Sequence, residues 1–367
     1  MKNFLHRLIS NPRESKLQKI LLFPLSVLSL LYGWAMSARV FFYRKGIYRT
    51  HSLPCKVISV GNLTLGGTGK TPFVCLVAEM VHQSGYRTAV LSRGYKGSYE
   101  GAHALVSDGE RVLLDSARAG DEPLLLARKL RGIPVIVGRE RRVAGQYAID
   151  RFQTEVLILD DGFQHLALRR DINFLLLDSS SPFGNARLLP RGELREPLSQ
   201  FRRADALVLT KWGGDDIINN LGKRFMNLPK CGPVFRVRYE PETIQVWGEE
   251  RTLPPQELRG KKVWAFCGLA KPGSFEKTLR GLGAEILHFE PFPDHFFYGE
   301  KDLERVGDQA SQAGAEVMVT TEKDMVRLEG FPRGAVPLWA LSVRHVFSGD
   351  DDSRFAAFLF GRLGRKA

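Results

Sequence analysis

The chain has 367 residues, 44% of them hydrophobic and 25% charged, an ordinary globular composition at a length that exceeds one typical core. Its 53 Lys and Arg against 40 Asp and Glu leave a formal charge of +13, which favours an anionic partner: nucleic acid, anionic lipid or a phosphorylated substrate. No arginine-rich tail or RNA-binding aromatic signature accompanies the charge. Cys55, Cys75, Cys231 and Cys267 stand too far apart for a zinc or redox pair and read as thiols of a reducing compartment.

Residues 20–38, ILLFPLSVLSLLYGWAMSA, carry no charge. Lys2, Arg7, Arg13, Lys16 and Lys19 precede them; Arg39, Arg44, Lys45 and Arg49 follow. The stretch is near the lower limit for crossing a bilayer, and Pro24, Ser26, Ser29 and Gly33 argue against a simple span. Positive flanks, with Tyr32, Trp34 and Tyr43 near its end, predict a helix lying in or dipping into an anionic leaflet. A helix of the soluble core is the alternative. No small-residue cleavage site marks a secretory signal.

The next segment is Ser59-Val60-Gly61-Asn62-Leu63-Thr64-Leu65-Gly66-Gly67-Thr68-Gly69-Lys70-Thr71-Pro72. A strand ends at Val60, glycines form a loop, and Lys70-Thr71 open a helix predicted over 70–83. This order makes a phosphate-binding loop: backbone N–H groups wrap phosphate oxygens, lysine reaches the outer phosphates and threonine offers its hydroxyl to Mg²⁺. Thr64, Gly66, Gly67, Thr68, Gly69, Lys70 and Thr71 are the predicted nucleotide contacts, although Thr64 stands where the general pattern has glycine.

Short apolar runs at 88–91, 134–137, 156–159, 173–177 and 206–209 alternate with helical lengths, as in a buried parallel sheet with crossover helices. Within this region Gly120-Asp121-Glu122-Pro123 opens an apolar segment. Asp121 reads locally as a helix N-cap. It is also the best unassigned carboxylate to accept a hydroxyl proton. Glu155 to His165 has the form of a Walker B strand, with Asp160 and Asp161 at the end where Mg²⁺ would sit. Arg139, Arg141 and Arg142 are either a solvated helix start or an anion clamp. Pro190 to Pro197 could bind phosphate, brace a loop by ion pairs or bring Glu193 to the metal.

Glu240-Pro241-Glu242 interrupts alternation between FRVRY and TIQVW, predicting a two-stranded ribbon. A second α/β unit follows, with strands at 263–267, 285–287 and 317–319 and helices at 272–282 and 300–313. His295, among aromatics in Phe292-Pro293-Asp294-His295-Phe296-Phe297-Tyr298, reads locally as a packed residue. After Leu209, Thr210-Lys211-Trp212-Gly213 lacks the aspartate of a guanine-specific loop, so ATP is the expected nucleotide. The chain thus divides into a membrane-associating segment at 1–45, a P-loop kinase domain at 46–230, a two-stranded linker at 231–250 and a smaller α/β domain at 251–367.

Taken together, VGNLTLGGTGKTP (60–72), LSRGY (91–95), GDEP (120–123), LDDGFQH (159–165), RGELREP (191–197), FCGLAKPGSF (266–275), FPDHFFY (292–298) and TTEKD (320–324) resemble the tetraacyldisaccharide 4'-kinases, the lipid A 4'-kinases of Gram-negative bacteria. They run in family order across nearly the whole chain, and Thr64 is normal for that family. The resemblance implies ATP-dependent phosphorylation of the 4'-hydroxyl of tetraacyldisaccharide 1-phosphate, giving lipid IVA, by a monotopic enzyme at the cytoplasmic face of the inner membrane. It implies that Lys70 contacts the outer phosphates and that Asp121 is the base, paired with His295. Mg²⁺ would be held by Thr71, Asp160 or Asp161, and Glu193, with Glu122 in support. With Asp121 and His295 in different domains, their pairing would require closure.

The partners expected are the lipid substrate and an anionic membrane surface, with no nucleic acid and no obligatory protein. A P-loop ATPase that switches a membrane partner is the competing reading, although the signature lysine such proteins place before Gly66 is Leu65 here. A kinase of a soluble small molecule would keep full activity without residues 1–45.

Overall fold

The computed structural model describes residues 15–95, 97–213, 232–294, 296–328 and 334–364. Two compact units divide the chain: 1–93, 138–238 and 346–367 form the first, and 94–137 with 239–345 form the second. This cut departs from the linear boundaries expected above, because residues 94–137 and the C-terminal segment each leave their sequence neighbours.

The first unit is built on β1 (Lys56–Asn62), β2 (Thr88–Ser92), β5 (Val156–Asp160), β6 (Ile172–Asp178), β7 (Ala206–Thr210) and the start of β8 (Val234–Val246). Their order is β8-β7-β6-β1-β5-β2, and every pairing from β8 through to β2 is parallel. Strands β2, β5, β6 and β7 are buried along their whole length, which is why they read as continuous apolar runs. The helix Lys70–Gln83 follows β1, as the glycine loop predicts. Phe355, from the C-terminal helix Asp351–Leu363, packs at 5.7, 5.2 and 5.1 Å from the rings of Phe73, Phe174 and Phe235. Arg236 Nε donates to the fully buried Asp351 carboxylate at 2.7 Å. This aromatic cluster and ion pair fix the last helix in the first unit.

The second unit carries β3 (His103–Ser107) beside β4 (Val135–Gly138), whose last residue Gly138 falls in the first unit. It also carries a parallel sheet ordered β11-β10-β12-β13, from β10 (Lys262–Cys267), β11 (Glu285–Pro291), β12 (Val317–Thr321) and β13 (Leu338–Phe347). Helices Gly273–Gly281 and Glu300–Gln312 match the predicted pair closely. The predicted ribbon is not formed. Val234–Val246 is one unbroken strand, and β8 pairs antiparallel with β9 (Thr252–Leu253) only near its end. Pro241 fixes a φ that extended chain accepts, so Glu240-Pro241-Glu242 passes without turning.

The apolar N-terminal stretch forms the helix Phe23–Arg44, with Pro24 in its first turn, where a missing N–H is tolerated. It is not a soluble-core helix: only 11% of its most apolar window is buried, and Leu28, Leu30, Leu31 and Trp34 are exposed. Its small and polar residues face the protein instead. Ser29 Oγ donates to Leu188 O at 2.9 Å and accepts from Arg191 N at 3.0 Å. Tyr32 donates to Arg195 O at 2.8 Å, and Arg39 to Gln164 O at 3.1 Å.

Candidate active site

The C-terminal ends of β1, β5, β6 and β7 converge on the phosphate loop, the edge where parallel α/β sheets bind ligands. Gly66 (φ +101°) and Gly69 (φ +80°) take left-handed backbone that side chains resist, and a Cβ on Gly66 or Gly67 would meet only open space. Lys70 and Thr71 open the following helix and are half-buried, while Thr64 and Thr68 are buried.

The buried Asn62 amide ties the loop together. Its Nδ2 donates to Thr64 O at 2.8 Å and to Thr68 Oγ1 at 2.9 Å, and its Oδ1 accepts from Lys70 Nζ at 3.3 Å. Thr210 Oγ1 donates to Thr68 O at 2.8 Å. Lys211 Nζ donates to Gly67 O at 3.0 Å and to Asp178 Oδ2 at 2.8 Å. The RGELREP segment closes the outer side: Leu65 N donates to Glu193 O at 2.8 Å, and Arg195 N to Leu63 O at 2.7 Å. The backbone of this segment thus braces the phosphate loop.

Asp161 Oδ2 lies 2.8 Å from Arg195 and Oδ1 lies 3.5 Å from Lys70. Burial works to raise its pKa, but Lys70 and Arg195 outweigh it and hold the carboxyl below its ordinary range. Its backbone is strained at φ +52°, and so is that of Lys211 at +54°. Both outliers sit at strand ends against the phosphate loop. Asp160 is buried and accepts from Ser92 Oγ at 2.9 Å. The half-buried Glu193 carboxylate packs over Gly184, where a Cβ would clash with Oε2. The hydroxyl of Thr71 and the carboxylate of Asp160 are the hard oxygen donors that suit Mg²⁺. Asp161 already answers two cations.

Of the three arginines after β4, Arg141 is buried on Gly138 O and Asp160 O, at 2.7 and 3.1 Å, whereas Arg142 faces solvent beside Glu140. Burial, then Arg141, Arg170, Arg39 and Arg93, pushes the His165 imidazole down to about 4.

Asp121 belongs to the second unit. Gly120, at φ +87°, is the N-cap of the helix Asp121–Lys129, so Asp121 occupies its first turn and is not the cap. A Cβ at Gly120 would lie 2.6 Å from Tyr95 O, which explains the glycine of GDEP. The Asp121 carboxylate instead accepts from Arg327 Nε at 2.6 Å. Glu122 beside it is half-buried. His295 lies outside the described residues.

Asn62, Lys211 and Arg327 were given no role in the sequence reading. A polar residue ending a buried strand was the signal for Asn62, and Arg327 stands three residues beyond TTEKD. Lys211 had only its place after β7.

A family model described as tetraacyldisaccharide-1-P 4'-kinase matches residues 20–363. A tetraacyldisaccharide 4'-kinase of Syntrophus aciditrophicus is 44% identical over 90% of both chains, and one of Desulfatibacillum aliphaticivorans is 39% identical over 92% of both. The crystal structure of "apo" form LpxK from Aquifex aeolicus in complex with ATP superposes with a TM-score of 0.73 at 34% identity, covering 94% of this chain and 99% of that one. Together with the loop and its braces, these matches establish that the chain belongs to the tetraacyldisaccharide 4'-kinase family.

Proposed function

We propose that this protein transfers the γ-phosphate of ATP to the 4'-hydroxyl of tetraacyldisaccharide 1-phosphate, making lipid IVA in lipid A biosynthesis. The observation that carries this reading is the phosphate loop: an open glycine cradle, cross-braced by Asn62 and Lys211, with Lys70 at the head of its helix. Phosphoryl transfer asks a protein mainly to position groups and neutralise charge. Lys70 and the loop N–H groups do both for the triphosphate.

The acceptor oxygen attacks the γ-phosphorus as the bond to the β-phosphate bridging oxygen breaks, and ADP leaves. Asp121, with His295 as its partner, takes the proton lost from the hydroxyl. Mg²⁺, held by Thr71 and Asp160, would spread the charge of the phosphates.

The N-terminal helix supports action at a membrane surface. It is about 33 Å long by helix geometry, yet Ser29, Tyr32 and Arg39 bond to the protein along its length while its apolar face is bare. That arrangement favours a helix lying in the leaflet over one crossing it. Acyl chains would then stay in the membrane as the sugar reaches the protein, with the cytoplasmic face of the inner membrane as the place of action.

The test is transfer from γ-labelled ATP to tetraacyldisaccharide 1-phosphate in detergent micelles, comparing wild type with Asp121→Ala. Labelled lipid is expected from wild type, with a loss of about 10²-fold or more in the variant, the scale of a removed general base. ATP hydrolysis by wild type without labelled lipid would overturn the kinase reading in favour of an ATPase switch.

A further inference from the structure

Three residues of the TTEKD segment and its continuation reach the other motif segments of the second unit, and a fourth reaches the helix that Asp121 begins. Lys323 Nζ lies 3.5 Å from Asp294 of FPDHFFY. Asp324, fully buried, accepts from Gly268 N of FCGLAKPGSF at 3.1 Å, from the Tyr298 hydroxyl at 3.1 Å and from Thr321 Oγ1 at 2.6 Å. Arg327, 8% exposed, spans two carboxylates: Nη1 donates to Asp324 Oδ1 at 3.1 Å and Nε to Asp121 Oδ2 at 2.6 Å. Glu322 lies 3.0 Å from Lys129, at the far end of the helix that Asp121 begins.

This is more order than a structural ion pair needs. Asp324 accepts from four donors inside the protein, and it serves as an anchor. A guanidinium is planar, so an Nη1 fixed on Asp324 also fixes where Nε points. The direction of Nε in turn sets the plane of the Asp121 carboxylate. A lysine would supply the charge without the direction.

We propose that Arg327 is the positioning residue of Asp121, orienting the carboxylate that receives the acceptor proton and being itself oriented by Asp324. The proposal rests on the reading of Asp121 as the base. It assigns to the TTEKD segment the task of holding that base in register with the FPDHFFY and FCGLAKPGSF loops.

The test measures kcat and the KM for ATP in the micellar assay for Arg327→Gln and Arg327→Lys, each alone and combined with Asp121→Ala. Arg327→Gln should lower kcat by about 10²-fold, the scale of a misplaced reacting group, with the ATP KM unchanged. Arg327→Lys, which keeps Asp324 paired with a cation and so guards against misfolding, should recover part of that loss. In the Asp121→Ala background neither change should lower the residual turnover further, because Arg327 acts only through Asp121. Wild-type kcat in Arg327→Gln, an equal loss in both backgrounds, or a loss borne by the ATP KM would each overturn the proposal. Failure of the underlying reading shows elsewhere: full turnover by Asp121→Ala sinks the base assignment, and absence of labelled lipid from wild type sinks the kinase.

Discussion

Asn62 has no charge and performs no chemistry, but its amide joins three points of the phosphate loop that sequence leaves independent. Asn62→Ala strands Thr68 and releases Lys70, at about 1–3 kcal/mol for buried partners left unpaired. A rise of about 10–100-fold in the ATP dissociation constant is expected, measured by equilibrium binding. His165 shows a different residue-scale effect. Its folded pKa of about 4 lies below the ordinary 6.5, so between those values the unfolded chain holds the extra proton. Stability is complete above pH 6.5 and falls as the pH drops toward 4. His165→Asn should flatten that fall, seen in urea unfolding at pH 5 and pH 7. The glycine turns at Gly66 and Gly69 and the helix start at Lys70 were legible because local geometry demands those residue types. The partners of Asp161 were not, since Arg195 lies 34 positions away.

At the scale of elements, the helix Asp121–Lys129 is bolted at both ends to one short segment, Asp121 to Arg327 and Lys129 to Glu322. Lys129 also meets Glu242 at 3.2 Å and the carbonyl of Val343 at 3.1 Å. Burial raises the pKa of Glu322, and Lys129 opposes it. Lys129→Met leaves two half-buried carboxylates without their shared cation and should cost about 1–2 kcal/mol. The loss should shrink at acid pH as Glu322 takes a proton, and Glu322→Gln should recover part of it in the double variant, read by urea unfolding. The apolar segment of this helix was visible in sequence. Its attachment was not, because ion pairs more than 190 positions apart leave no periodic trace.

For the whole molecule, hydrophobic runs predicted the α/β class and most strands, since strands buried on both faces must be apolar throughout. The division into units was hidden because it is not linear. Phe355 places the last helix with the first unit, and the clamp on Asp121–Lys129 places residues 94–137 with the second. The family motifs named the right chemistry while giving no hint of which piece packs with which.

The docking of the N-terminal helix has one more consequence. Its Tyr32 and Ser29 hold the 188–195 segment from behind, and that segment is the outer wall of the phosphate loop. Removing the first 45 residues would therefore do two things at once: take away the proposed membrane anchor and withdraw a strut from the nucleotide pocket. A shortened protein that binds ATP poorly would be reporting a wall left unsupported rather than an anchor lost.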